Sequence, residues 1–301
     1  MDESDHVGDQ LSHNSPAQTF LASVGSWQLA SPGTTGDPII VLPGGPGPEP
    51  SYLAPLLDEL GSRHPIYLYR YPEELAALTC DAVEDAVAQV LGDARGHLIG
   101  HSLGATLALA CAPMLESQLA SVAALSPIPA DGEALLDMAQ RYATRLAELD
   151  LAAALRRRMQ RRAGEASPRE LERFAEATRP LFAREAAWLD YPYHQSDVRG
   201  LAQLLEELHA REQSKPAELS TPTLLSWGEH DVVPPRYRDA LRARLRRVTV
   251  SQVPDAGHML PIEQPLALAK ALQRWFADCQ PGATSSSTAR ELRAARSALG
   301  V

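Results

Sequence analysis

One serine, Ser102, lies between two glycines in Gly100-His101-Ser102-Leu103-Gly104, where an apolar run ends and a run of helix formers begins. A G-x-S-x-G turn from strand into helix can hold a strained serine with its hydroxyl exposed above a sheet, placed to attack a carbonyl. A serine hydroxyl is a weak nucleophile unless a base takes its proton and an acid orients that base. Two later segments offer those groups. "SWGEHDVVPP" (226–235) carries Asp231, and "VPDAGHMLP" (253–261) carries His258. The order serine, acid, histidine is the one this turn calls for. Glu229 and His230 flank Asp231, and Asp131 at the end of "SPIPAD" is a rival acid. His101 reads as a packed neighbour of Ser102. The Gly-rich segment "VLPGGPGPEP" (41–50) supplies a fourth part. Gly45 N–H can approach a substrate oxygen there and form an oxyanion hole with Leu103 N–H, which lies at a helix start.

These residues need a frame. Residues 38–42, 65–69, 97–100, 121–125, 222–227 and 247–253 are short apolar runs that read as buried strands. Helical patterns over 79–91, 104–116 and 264–278 separate several of them. The alternation predicts an α/β fold: a mostly parallel central sheet with helices on both faces. In such sheets ligands bind at the carboxyl ends of the strands, where Ser102, Asp231 and His258 all fall. The alternation stops between Pro127 and Pro216, and that stretch reads as helical throughout. Leu135, Met138, Tyr142 and Leu146 give its first helix one apolar face, and "SPRE" (167–170) is a capping box. The expected organisation is a disordered segment over 1–20, a core over 21–127 and 217–280, and an inserted helical cap over 128–216. A linker and short terminal helix then occupy 281–301.

A net charge of −10 argues against generic binding to nucleic acid or an anionic membrane surface. No apolar run is long enough to span a membrane, and the acidic N-terminus has no signal-peptide core, so the expected location is cytoplasmic. Cys80, Cys111 and Cys279 have neither disulfide-framework nor zinc spacing, and no metal or cofactor is expected. Cys80 and Cys111 read as buried thiols on helices. Aromatics make up only 5% of the chain, yet Phe182, Trp188, Tyr191 and Tyr193 cluster in the cap. Trp188, Tyr191 and Tyr193 are candidate substrate contacts forming a wall for an apolar acyl group, or else they fix the cap to the body. "RRRMQRR" (156–162) reads as a solvated helix face or as a docking site for an acidic carrier protein or a coenzyme A thioester.

Over residues 22–279 the sequence resembles the α/β-hydrolase superfamily, in its capped serine-hydrolase branch. "GHSLG", "GEHDVVPP" and "DAGHMLPIEQP" are similar to the family's nucleophile, acid and histidine segments. "PGGPG" is similar to the HGGPG oxyanion loop of proline-iminopeptidase-like members. Pro43 stands where that loop usually has a bracing histidine, and "GHSLG" lacks the tryptophan usual in the serine turn of those peptidases. The resemblance implies a serine hydrolase acting on a small acyl substrate. Ser102 is its nucleophile, His258 its base and Asp231 its orienting acid. The expected bond is a carboxylic ester, thioester or lactone. Three alternatives stay open: an aminopeptidase using Glu185 or Asp190 to hold an amine, an acyl transferase or cyclase, and a non-catalytic binding protein.

Overall fold

The structure is a computed structural model that describes residues 26–33, 35–45, 50–60, 63–72, 75–148, 198–214 and 219–280. Its strands are β1 (Ser26–Pro32), β2 (Ile39–Leu42), β3 (Pro65–Arg70), β4 (Gly96–His101), β5 (Leu119–Leu125), β6 (Thr223–Gly228) and β7 (Val248–Val253). They form one sheet in the order β1-β3-β2-β4-β5-β6-β7. Only β1 runs antiparallel to its neighbour, β3; all other pairings are parallel. The described helices are α1 (Ala54–Leu60), α2 (Cys80–Leu91), α3 (Leu103–Cys111), α4 (Gly132–Glu148), α5 (Val198–Ser214), α6 (Pro235–Arg244), α7 (Leu260–Glu263) and α8 (Pro265–Asp278).

The continuous apolar runs have a direct physical cause. Every residue of β2, β4, β5 and β6 is buried, because helices cover both faces and alternate side chains go to opposite layers. Ile40, Leu98, Val122 and Leu225 join α2, α3, α5 and α6 in one core cluster. Ile39, Ile99, Ala123 and Leu224 join α1 and α8 in the other. Burying each leucine of these layers stabilises the fold by roughly 2 kcal/mol.

All six expected strands are present. β1 is an addition: "SWQLASP" pairs with a single neighbour and leaves Leu29 exposed, so it lacks the apolar run of a central strand. β7 differs from the buried strand expected over 247–253. It is the sheet's edge, with Thr249, Val250 and Gln252 exposed. The helix expected over 104–116 ends at Cys111, close before Pro113, whose ring and missing N–H oppose further helix. α2 starts as its sequence suggests, with Thr79 Oγ1 accepting the Ala82 N–H. Cys80 and Cys111 are buried.

Within the stretch expected to form the cap, α4 and α5 are described, and both are helical. α5 buries Leu204 and Leu208 in the core cluster of the body. Arg211 of α5 pairs with Asp81 and Glu84 of α2. The segments 1–20, 149–197 and 281–301 lie outside the described residues, and with them Trp188, Tyr191, Tyr193, Glu185, Asp190 and the arginine run 156–162. No helix among the described residues is long and apolar enough to cross a membrane.

Candidate active site

β4 delivers Ser102 to the carboxyl edge of the sheet. The turn into α3 is sharp because β4 and α3 pack backbone to backbone. A Cβ on Gly100 would lie 2.2 Å from the Gly104 carbonyl oxygen, and one on Gly104 would lie 2.2 Å from that of Leu42. Both glycines are therefore required by close approach. Ser102 itself has φ 54° and ψ −120°, a region costly for any residue with a Cβ. Its N–H donates to the Leu125 carbonyl at 2.8 Å, which helps hold the strained turn. Ser102 is half-buried.

The loops after β6 and β7 bring the other two residues to it. His258 Nε2 lies 2.9 Å from Ser102 Oγ, and His258 Nδ1 lies 3.0 Å from Asp231 Oδ1. The path Ser102–His258–Asp231 is continuous and, at the histidine and acid, almost dry: their side chains are 4% and 0% exposed. Asp231 is fully engaged. Oδ1 also accepts the Val233 N–H at 3.1 Å, and Oδ2 accepts the Ser126 hydroxyl at 2.6 Å. Burial alone would raise its pKa. His258, Ser126 and the Val233 N–H outweigh burial and bring it down to about 2, so the carboxylate stays charged.

Neighbouring groups hold the two loops. The Arg238 guanidinium donates to the Asp231 and Val233 carbonyls. Glu263 brackets the histidine, accepting the Gly257 N–H at 2.9 Å and the Met259 N–H at 3.0 Å. Ser126, Arg238 and Glu263 were not singled out from sequence. The one available signal was a lone polar residue closing an apolar strand, "VAALS", for Ser126.

The rival acids have other partners. Asp131 Oδ1 accepts the Ala134 N–H at 2.8 Å and caps α4. Glu229 Oε2 accepts the Asp255 N–H. Glu229, His230 and Asp255 are the only described residues whose ligand atoms come close enough to share a metal ion; all three are exposed and outside the Ser102–His258–Asp231 path.

The Gly-rich loop lies against the serine. A Cβ on Gly44 would be 3.1 Å from Ser102 Cβ. Gly45 follows directly, and Leu103 opens α3, where helix geometry gives its N–H no carbonyl within the helix. His101 is buried, as expected of a packed neighbour. Its ring is also hydrogen-bonded at both nitrogens, to Tyr52 Oη at 2.6 Å and to the His258 carbonyl at 2.9 Å.

Comparison with known proteins fits this arrangement. The model of the alpha/beta hydrolase family matches residues 39–271. No curated protein matches the chain. Among solved structures, a thermophilic esterase from Thermogutta terrifontis is 22% identical with a TM-score of 0.55, covering 85% of this chain and 94% of that one. The proline iminopeptidase of Mycobacterium smegmatis is 19% identical with a TM-score of 0.56, over 85% and 95%. The thioesterase domain from the curacin biosynthetic pathway is 18% identical with a TM-score of 0.51, over 80% and 92%. At these identities the likeness is one of fold.

Proposed function

Because the chain belongs to the alpha/beta hydrolase family, we propose that it is a serine hydrolase that cleaves a carboxylic ester, thioester or lactone through an acyl-serine intermediate. The observation that carries this reading is the unbroken hydrogen-bonded path from Ser102 Oγ through His258 to a buried, charged Asp231.

Ser102 Oγ attacks the acyl carbonyl while His258 Nε2 takes its proton. Asp231 accepts the Nδ1 proton, fixes the tautomer and stabilises the imidazolium. Gly45 and Leu103 N–H groups hold the tetrahedral oxyanion. Each such donor is typically worth about 3 kcal/mol of barrier. His258 returns the proton to the leaving alcohol or thiol, and water then releases the acid by the same steps in reverse. The substrate is a small acyl compound. Its acyl pocket includes Trp188, Tyr191 and Tyr193 as candidate contacts for an apolar acyl group, and the arginine run 156–162 suits an acidic carrier protein or a coenzyme A thioester.

A panel of aryl esters, acyl thioesters, lactones and aminoacyl anilides tests the reading. The expected result is turnover of one of the first three classes, lost in Ser102→Ala. Faster turnover of anilides would replace it with an aminopeptidase. A product carrying the acyl group on a second substrate would replace it with an acyl transferase.

A further inference from the structure

Resting on the serine-hydrolase reading, we propose that Tyr52, Tyr71 and His101 are positioning residues that clamp the Pro43–Gly44 peptide plane and tie the oxyanion loop to the backbone of His258. Both ends of one peptide unit are held by tyrosine hydroxyls. The Tyr71 hydroxyl donates to the Pro43 carbonyl at 2.6 Å. The Gly44 N–H donates to Tyr52 Oη at 2.7 Å. This peptide directly precedes the Gly44–Gly45 peptide, whose N–H must point at the oxyanion. Gly44 gives the peptides that flank it little intrinsic resistance to rotation, and Pro43 offers no polar side chain to brace them. The two hydroxyls supply that brace from outside the loop.

The direction of each hydrogen bond follows by elimination. The His258 carbonyl can only accept, so His101 Nε2 carries a proton. Burial, with the neighbouring His258, holds His101 well below its ordinary range, at about 3, so the ring is neutral and Nδ1 is an acceptor. The Tyr52 hydroxyl therefore donates to Nδ1, and its oxygen takes the Gly44 N–H. Burial keeps that phenol protonated, far above its usual range. Every donor in the chain Gly44 N–H, Tyr52 O–H, His101 Nε2–H has one acceptor, and Tyr52 and His101 are almost completely buried. A chain of this kind in a dry interior is stiff, since breaking one link leaves polar groups without partners. Its two ends are the oxyanion loop and the residue whose side chain is the general base. A side chain on Gly44 would press on the clamp, with its Cβ 3.0 Å from both His101 Nδ1 and Tyr52 Oη.

The test compares Tyr52→Phe and Tyr71→Phe with the full-length wild type. Readouts are ester kcat and KM, the rate of fluorophosphonate labelling of Ser102, and affinity for an alkyl boronic acid that mimics the tetrahedral adduct. Each variant is expected to lose roughly 10- to 100-fold in kcat, with KM within about 3-fold and boronate affinity falling in parallel. A merely structural role would lower the folded fraction and leave kcat per folded molecule unchanged, which overturns the proposal. Should Tyr52→Phe fail to fold, Tyr71→Phe frees the other end of the same peptide from a half-buried site. The Gly44 amide of the wild type must also exchange slowly with solvent, and rapid exchange refutes the clamp without any variant. A wild type that neither labels nor turns over esters defeats the serine-hydrolase reading and the clamp with it. A labelled wild type with unchanged variants defeats the clamp alone.

Discussion

Replacing Asp231 with Asn separates the charge of the acid from its hydrogen bonds. In the structure Oδ1 accepts from both His258 Nδ1 and the Val233 N–H, while Oδ2 faces only the Ser126 hydroxyl. An asparagine can keep its oxygen toward His258 and Val233. Its NH2 then donates to Ser126 Oγ, and the Ser126 proton turns elsewhere. The fold and the His258 tautomer are therefore expected to survive, and what is lost is the negative charge beside the imidazolium. Two unit charges about 4 Å apart at an effective dielectric of about 20 attract by about 4 kcal/mol. The Asp231 carboxyl is held from its ordinary 3.8 down to about 2 against the cost of burial. That shift alone corresponds to about 2 kcal/mol of preference for the charged form. Asp231→Asn should lower kcat/KM for ester hydrolysis by roughly 10²- to 10³-fold, with a thermal midpoint close to wild type. Asp131→Asn, at a helix cap, should leave kcat/KM within about 3-fold. The assay is steady-state hydrolysis of the best ester from the panel. A loss under about 5-fold in Asp231→Asn, or an equal loss in Asp131→Asn, would refute the assignment of the acid.

Ser126→Ala removes the hydroxyl that Asp231 Oδ2 accepts at 2.6 Å and should cost roughly 1.5–3 kcal/mol in urea unfolding, the usual range for a hydrogen bond to a charged group. Gly104→Ala puts a Cβ 2.2 Å from the Leu42 carbonyl oxygen. Neither backbone can yield, so a loss above about 3 kcal/mol or failure to fold is expected in thermal melts. His97 is buried and hydrogen-bonded to Ser121 Oγ; burial first, then His64 and Arg95, lower its pKa to about 4. The unfolded chain takes up this proton from about pH 6.5 downward and the native protein does not. Stability should thus fall by about 3 kcal/mol on His97's account between pH 6.5 and 4. Urea titrations at pH 7 and 4.5 measure the loss, and His97→Gln should remove that share of it.

The parts legible in the sequence are those with a local cause. Central strands such as "PIIVL" and "SVAAL" announce themselves because double burial demands unbroken apolar runs. Ser102 was legible because close backbone approach demands Gly100 and Gly104 around it. β1 was missed because, paired on one side, "SWQLASP" carries neither an unbroken apolar run nor the valine-rich pattern that marks the other edge, β7 "VTVSQV". Tyr52, Tyr71, Ser126 and Glu263 were missed for another reason. Each acts through a partner far away in the chain, or through a backbone group that leaves no mark on composition. Asp231 was preferred to Asp131 on its segment, "GEHDVVPP"; what the sequence did not carry is that Asp131 caps α4 while Asp231 meets His258.

Intact mass after exposure to a fluorophosphonate, on wild type and on Ser102→Ala, tests the central claim most directly. A single adduct on the wild type and none on the variant is the predicted outcome, since only a serine deprotonated by His258 reacts at a useful rate. An adduct of equal extent on Ser102→Ala would contradict the account. So would a folded wild type that stays unmodified with both a bulky and a small probe.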